Sequence, residues 1–252
     1  LDTLTMFAKK MADFSDDGVL VNGAYGHRWR EWFGRDQLQE AIELLIRNPL
    51  DRCVVLQMWD GSKDLNSSSK DVPCNTQVYF SARPLKDGSY ILDMTVTNRS
   101  NDLIWGMYGA NAVHFSMVHE YVASCVDMKL GKYYQISNNA HVYLDVWEPL
   151  NEKLHQGYHP DPYETGEVTS LPLVDNWAIF DGELKVFFDW LHEGDLFGYK
   201  YENSVFSETA IPMVEAWWLW KEQMISEAID KANLIKAPDW RKACVEWLQR
   251  KR

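Results

Sequence analysis

No two of the four cysteines (Cys53, Cys74, Cys125, Cys244) are spaced as CxxC, and no secretory apolar segment precedes them. Reduced thiols in a cytoplasmic protein are therefore expected, not a disulfide framework. No apolar run reaches 18 residues, which excludes a helical membrane span. Walker loops, GxGxxG and GxSxG are absent. His114 and His119 are five apart, off the i,i+4 spacing of zinc-binding helices, so no metal site is expected there. Basic residues are also scarce, with 25 Lys and Arg against 37 Asp and Glu and a net charge of −12. Phosphate contacts need cations, so nucleic acid is not expected as the main partner. An anionic small molecule stays open, because a few converging arginines suffice locally.

What is present is a globular chain. Its 252 residues are 46% hydrophobic and 13% aromatic, enough to bury a sizeable core as one large domain or two small ones. Twelve tryptophans exceed the ordinary share and point to aromatic-lined surfaces or a wide interface. Helical spacing is expected over 1–13, 36–47, 109–127, 182–192, 211–231 and 239–250, and strands over 52–59, 75–83, 89–97 and 139–147. The stretch 150–175, rich in Pro, Gly and His, reads as surface loop. Helices alternate with strands first and cluster last, so the expected class is α/β or α+β, a mixed sheet covered by helices. No clear linker divides the chain, and a single domain over 1–252 is expected.

Four polar islands could carry chemistry. Pro73-Cys74-Asn75 places a thiol at a loop–strand junction, where a lowered pKa makes a nucleophile. Taken alone, the position better suits a small buried apolar side chain. Asn98-Arg99-Ser100-Asn101-Asp102 ends a strand, and Arg beside Ser makes an oxyanion or phosphate grip. A surface turn with an Arg–Asp pair has the same composition. In Ser137 to Tyr143, His141 and Tyr143 are two apart and share a strand face, suited to a sugar hydroxyl or to plain half-exposure. Tyr25-Gly26-His27-Arg28-Trp29-Arg30 interleaves rings and guanidinium groups, as a stacking site or a packed loop would.

The order and spacing of these islands are specific jointly. YGxRW, a helix ending NPxxR, a strand, PC, RSxD, a glycine-containing turn into a helix and then HxY resemble the thymidylate synthase family over about residues 22–147. That family includes phage and antibiotic-pathway pyrimidine hydroxymethylases. The resemblance implies a thymidylate synthase-like fold with a divergent, mostly helical region over 150–252. It implies attack of the Cys74 thiolate on C6 of a pyrimidine 5′-monophosphate and one-carbon transfer from 5,10-methylenetetrahydrofolate to C5. It implies that Arg99 grips the phosphate and lowers the thiol pKa, with Ser100 adding a phosphate hydrogen bond. Asp102 would orient the folate or the network around the base, and His141 and Tyr143 would hold the sugar hydroxyl. Tyr25 would join a proton relay near the base. Arg52 would reach the phosphate of the neighbouring subunit, which implies a homodimer with shared sites.

Departures from the family pattern shape the expected product. Cys53 stands where a second arginine is usual, and Asn75 where histidine follows the nucleophile. Counting from Gly106 places Ala110 where synthases carry an asparagine that reads uracil, with Asn111 one residue on. Either Asn111 takes over after a shift of one residue, or the reading of the base is remodelled. The C-terminal residues do not resemble a synthase's closing tail, and water attack on an unsealed adduct gives hydroxymethyl instead of methyl. Only 24 residues precede Tyr25, without a counterpart of the family's upstream glutamate, so an upstream segment is expected to be missing. The expected activity is hydroxymethylation of dUMP or a cytidylate by a phage-like member. Thymidylate synthesis is the alternative, and a silent nucleotide- or RNA-binding relative the second.

Overall fold

The computed structural model describes residues 2–154, 160–194 and 198–251, and the chain separates into two units, Leu1–Glu152 and Lys153–Arg252. In the first unit the expected N-terminal helix is two pieces, α1 (Asp2–Phe7) and a 3-10 helix (Lys9–Phe14), neither with a buried residue. A short α2 (Tyr25–His27) runs on as a π-helical turn, Arg28–Trp32. Next, α3 (Gln37–Arg47) is capped by Asp36, whose carboxylate accepts from the Gln39 amide. Leu38, Ala41, Ile42 and Leu45 form its buried face, as their spacing requires.

The strands are β1 (Val55–Gln57), β2 (Asn75–Pro84), β3 (Tyr90–Asn98) and the two-residue β4 (Asn101–Asp102). A π-helical segment, Leu103–Ala110, leads into α4 (Asn111–Cys125). β5 (Lys129–Ser137) and the short β6 (Ala140–His141) follow, then α5 (Leu144–Leu154). The main sheet has the order β1-β2-β3-β5, antiparallel except for the parallel β3–β5 pair. Alternation sorts its faces. Val78, Phe80, Leu92, Met94 and Val96 join the α3 residues, Trp29 and Phe115 in one buried cluster. His119 of α4 belongs to the same interior: it is buried, its Nε2 lies 2.7 Å from the Leu92 carbonyl, and burial pushes its pKa down.

Two expected strands shrink and one appears. Residues 52–59 form a strand only at Val55–Gln57. Residues 139–147 are not one strand: two residues pair, and a helix starts at Leu144. β5 was unexpected, because Lys and Gly interrupt its apolar alternation and its stability comes from pairing with β3.

The second unit is helical where described. Its helices are α6 (Trp177–Glu193), α7 (Ile211–Lys221, after a π-helical turn Val205–Ala210), α8 (Ile225–Ala232) and α9 (Pro238–Gln249). The helix expected over 211–231 is broken at Gln223, whose φ of +64° lies in the left-handed region. Ala216, Ala228, Ala232, Ile235 and Leu248 form a core with Trp220 and Trp240 packed against it. The Trp220 and Trp247 rings meet edge to face at 4.8 Å. The loop expected over 150–175 is α5 up to Leu154, and residues 155–159 lie outside the described residues.

A fully buried ion pair ties down the segment that carries Tyr25. Arg28 donates to both Asp64 oxygens, at 2.6 and 2.8 Å, and to the carbonyls of Asn22 and Met58. Neither side chain has any exposed surface. Removing one partner strands a buried charge, so Asp64→Ala is expected to cost about 3–5 kcal/mol in urea unfolding. A loss below about 1 kcal/mol would mean that the pair is dispensable.

Candidate active site

The β2–β3 register is the first positioning device. It sets Asn75 opposite Asn98 and lets the Arg99 amide donate to the Cys74 carbonyl at 2.9 Å. The Arg99 side chain turns back onto the loop before Cys74. Its Nε donates to the Pro73 carbonyl at 3.0 Å and its Nη2 to the Val72 carbonyl at 2.9 Å. The guanidinium also lies 5.5 Å from the Trp59 ring centre. Arg99 thus braces the cysteine loop as well as carrying charge beside it. Asn75 is fully buried and donates to the carbonyls of Gln77 and Thr97, a structural use of the position after the thiol.

The second device is the parallel pairing of β4 with β6, which sets Asp102 opposite His141. Ser100 Oγ lies 3.4 Å from His141 Nδ1, and the His141 and Tyr143 rings meet edge to face at 5.3 Å. Two islands far apart in sequence therefore meet, and His141 and Tyr143 stay together although Tyr143 lies beyond the strand. The Asp102 carboxylate departs from its expected use. Oδ1 accepts from the Ile104 and Trp105 amides at 3.0 and 2.5 Å and caps the π-helical segment. Its Oδ2 makes no hydrogen bond among the described residues and is the atom left for a ligand.

Tyr25 is the third component. Its ring packs on Phe115 and Trp29, with centroids 5.7 and 6.2 Å away. Burial raises the hydroxyl pKa, the Cys74 thiol adds to the rise, and the Asn75 and Cys74 amides pull against it. The phenol therefore stays protonated, as a donor or relay group must. For the thiol, burial is the largest influence and raises its pKa. Arg99 pulls it down, while Asp71 and Asp102 push it further up. The expected lowering by Arg99 is present, but burial outweighs it, because Arg99 is exposed and its charge is diluted by solvent.

A cavity of about 890 Å³ opens beside Tyr25, lined also by Trp29, Trp32, Asp71, Ala110 and Asn111. Cys74 is not among its walls; Tyr25, whose hydroxyl reaches the Cys74 amide, is. Asp71 was not singled out in the sequence. Its Oδ2 accepts from the Gly23 amide at 2.6 Å, and a Cβ at Gly23 would fall 2.8 Å from that oxygen, so a side chain there would have to push the carboxylate aside. Burial raises the Asp71 pKa, against the Gly23 amide and the charge of Arg28. Ala110 is exposed and offers no hydrogen bond, whereas Asn111 is buried with its nitrogen turned to Asn101 at 3.0 Å. Arg52 is exposed ahead of β1 and makes no hydrogen bond or ion pair among the described residues.

Sequence reasoning also missed Asn101 as an individual residue, and Gln135. The signal was parity: in β5, Tyr134 and Ile136 face outward, so Gln135 and Ser137 are polar residues on the inward side.

Comparison with known proteins adds the following. The thymidylate synthase family model matches residues 7–187. A deoxyuridylate hydroxymethyltransferase of Pseudomonas phage M6 is 42% identical, across all of this chain and 73% of its own length. One of Bacillus phage SP01 is 39% identical, over 75% of this chain and 57% of its own length. A thermostable thymidylate synthase A from Bacillus subtilis superposes with a TM-score of 0.52 at 21% identity, over 70% of this chain and 61% of that one, a likeness of fold.

Alkylation of Cys74 by iodoacetamide, followed at its own peptide by mass spectrometry, is expected to rise with pH through a midpoint above the ordinary thiol value. Asp71→Asn removes a negative neighbour, so its midpoint moves down and alkylation at pH 8 is faster. Arg99→Gln moves it the other way. A Cys74 that reacts like free cysteine and ignores both substitutions would remove it from this field.

Proposed function

The chain belongs to the thymidylate synthase family, and on that footing we propose that it transfers a one-carbon unit to C5 of dUMP and releases 5-hydroxymethyl-dUMP. It is a one-carbon transferase. The observation that carries the hydroxymethyl outcome is the similarity, across the whole chain, to a phage protein named deoxyuridylate hydroxymethyltransferase. The assembly of Cys74, Arg99, Ser100, His141 and Tyr143 around two strand pairings supports the same reading.

The geometry supports a role for each site residue. Cys74 loses its proton and adds to C6, which makes C5 nucleophilic. Methylenetetrahydrofolate, when bound, supplies the carbon. A cavity with rings at Tyr25, Trp29 and Trp32 and a carboxylate at Asp71 fits a flat, amide-bearing pterin. Tyr25 moves protons near the base, and Asp102 offers its Oδ2 to the ligand. Arg99 and Ser100 hold the phosphate, and His141 and Tyr143 hold the sugar hydroxyl. Loss of the C5 proton would expel the folate nitrogen from the transferred carbon as tetrahydrofolate, water would add to that carbon, and the thiolate would then leave C6. Asn75, the residue after the nucleophile, keeps the loop in place, while Ala110 and Asn111 border the base.

We place the activity in a homodimer that shares its sites. Support comes from the outer face of the sheet, where Val55, Tyr79, Thr95 and Tyr134 form one cross-strand row and Gln57, Gln77, Thr97 and Ile136 the next. Val55, Tyr79, Tyr134 and Ile136 are exposed there, more apolar surface than an unpartnered sheet presents. The free cation of Arg52 suits a neighbour's phosphate. Both units are taken as one catalytic chain, because the family match crosses the break between them. No described helix is long and apolar enough to cross a membrane. The four cysteines form no disulfide among the described residues, which suits a reducing compartment such as the cytoplasm.

Incubated with dUMP and methylenetetrahydrofolate, the protein is expected to give a product heavier by one hydroxymethyl group. Cys74→Ser should lower turnover by more than about a thousandfold. A methyl product with dihydrofolate would make the chain a thymidylate synthase instead. For the dimer, Cys74→Ser and Arg52→Ala are each expected to be inactive alone and to regain activity when co-assembled. No recovery, or a single-chain mass in sedimentation equilibrium, would overturn the shared site.

A further inference from the structure

Three amides connect a backbone carbonyl to the cavity wall. Gln135 donates from Nε2 to the Met107 carbonyl at 3.2 Å. A carbonyl only accepts, so the nitrogen of Gln135 must face it and Oε1 must face away. That oxygen accepts from Asn101 Nδ2 at 2.5 Å, and the same nitrogen reaches Ser137 Oγ at 3.2 Å. Asn101 is left with Oδ1, which accepts from Asn111 Nδ2 at 3.0 Å. Each link leaves one way to place the next amide.

The last link is buried, since Asn101 has no exposed surface and Asn111 retains 7%, while Gln135 is half-buried. Gly106 is required beside them. A Cβ there would fall on Asn101 Oδ1 and within 3.2 Å of Asn111 Nδ2. At the end of the relay, Asn111 lines the cavity with its nitrogen turned into the protein. Its Oδ1 makes no hydrogen bond among the described residues and is the acceptor presented to a ligand.

An untethered asparagine is ambivalent, because half a turn about its last bond exchanges donor and acceptor. Uracil and cytosine differ by the same exchange. Uracil carries N3–H as donor and O4 as acceptor; cytosine carries N3 as acceptor and its amino group as donor. We propose that Asn101 and Gln135 are specificity-determining positioning residues that lock the Asn111 amide in one orientation, with its oxygen toward N3–H, and so select uracil over cytosine. The proposal rests on the pyrimidine nucleotide reading above and names how that site tells the two bases apart.

The test compares dUMP with dCMP on the wild type, Asn101→Leu and Gln135→Met. Calorimetry gives both dissociation constants, and circular dichroism with thermal unfolding checks the fold. Gln135→Met nearly conserves side-chain length and keeps the test open should Asn101→Leu unfold. The wild type is expected to prefer dUMP. In each folded variant the amide is free to turn, so the preference falls by about tenfold or more. The kcat/KM ratio for the two nucleotides should move with it. A merely structural role would weaken both nucleotides alike and leave the ratio unchanged, which would overturn the relay. A wild type that binds neither nucleotide would overturn the functional reading, and one that prefers dCMP would overturn the assignment to uracil.

Discussion

The buried pair of Arg28 and Asp64 is the constraint on which the site depends. One guanidinium gathers the Asn22 and Met58 carbonyls and both Asp64 oxygens, and the Asp60 amide also donates to Asp64 at 2.8 Å. The remote stretch from Met58 to Asp64 and the nearby Asn22 are thereby held to the helical turn that carries Tyr25 and Trp29. Hydrophobic burial could hold the same segments together without fixing their rotation. A bidentate fork at zero exposure has one geometry and penalises every other, since any slip leaves charge unmatched in an apolar surrounding. The contribution is orientation more than net stability.

Around the cysteine, the physics is a contest of small fields and not one dominant charge. The chain is acidic overall, and two of the three charges that act on the thiol are carboxylates. Burial favours the neutral thiol over the thiolate. Arg99 is split between two tasks: its side chain is spent on the Val72 and Pro73 carbonyls while its charge still favours the thiolate.

Much of this was legible in the sequence, for identifiable reasons. α3 and the β2–β3 hairpin announced themselves through period and turn residues, and Cys74, Arg99, His141 and Tyr143 through the order of their motifs. The uses of Asp102 and Asn111 were not legible, because a carboxylate at a helix start and an amide beside a glycine turn choose partners only when the backbone is closed. β5 escaped because a parallel edge strand is stabilised by its neighbour more than by its own residues. The His141 strand was overread: alternation over 139–147 is real, but the ladder with β4 offers only two pairs, and local helix propensity takes over at Leu144.

The short ladder of β4 and β6 has a consequence for descent. Every hydrogen bond described above that places Cys74, Arg99, Ser100, Asp102 or His141 begins and ends before residue 144, ahead of the break after Glu152. Mutations accumulating in the helical second unit therefore meet no direct penalty from this geometry.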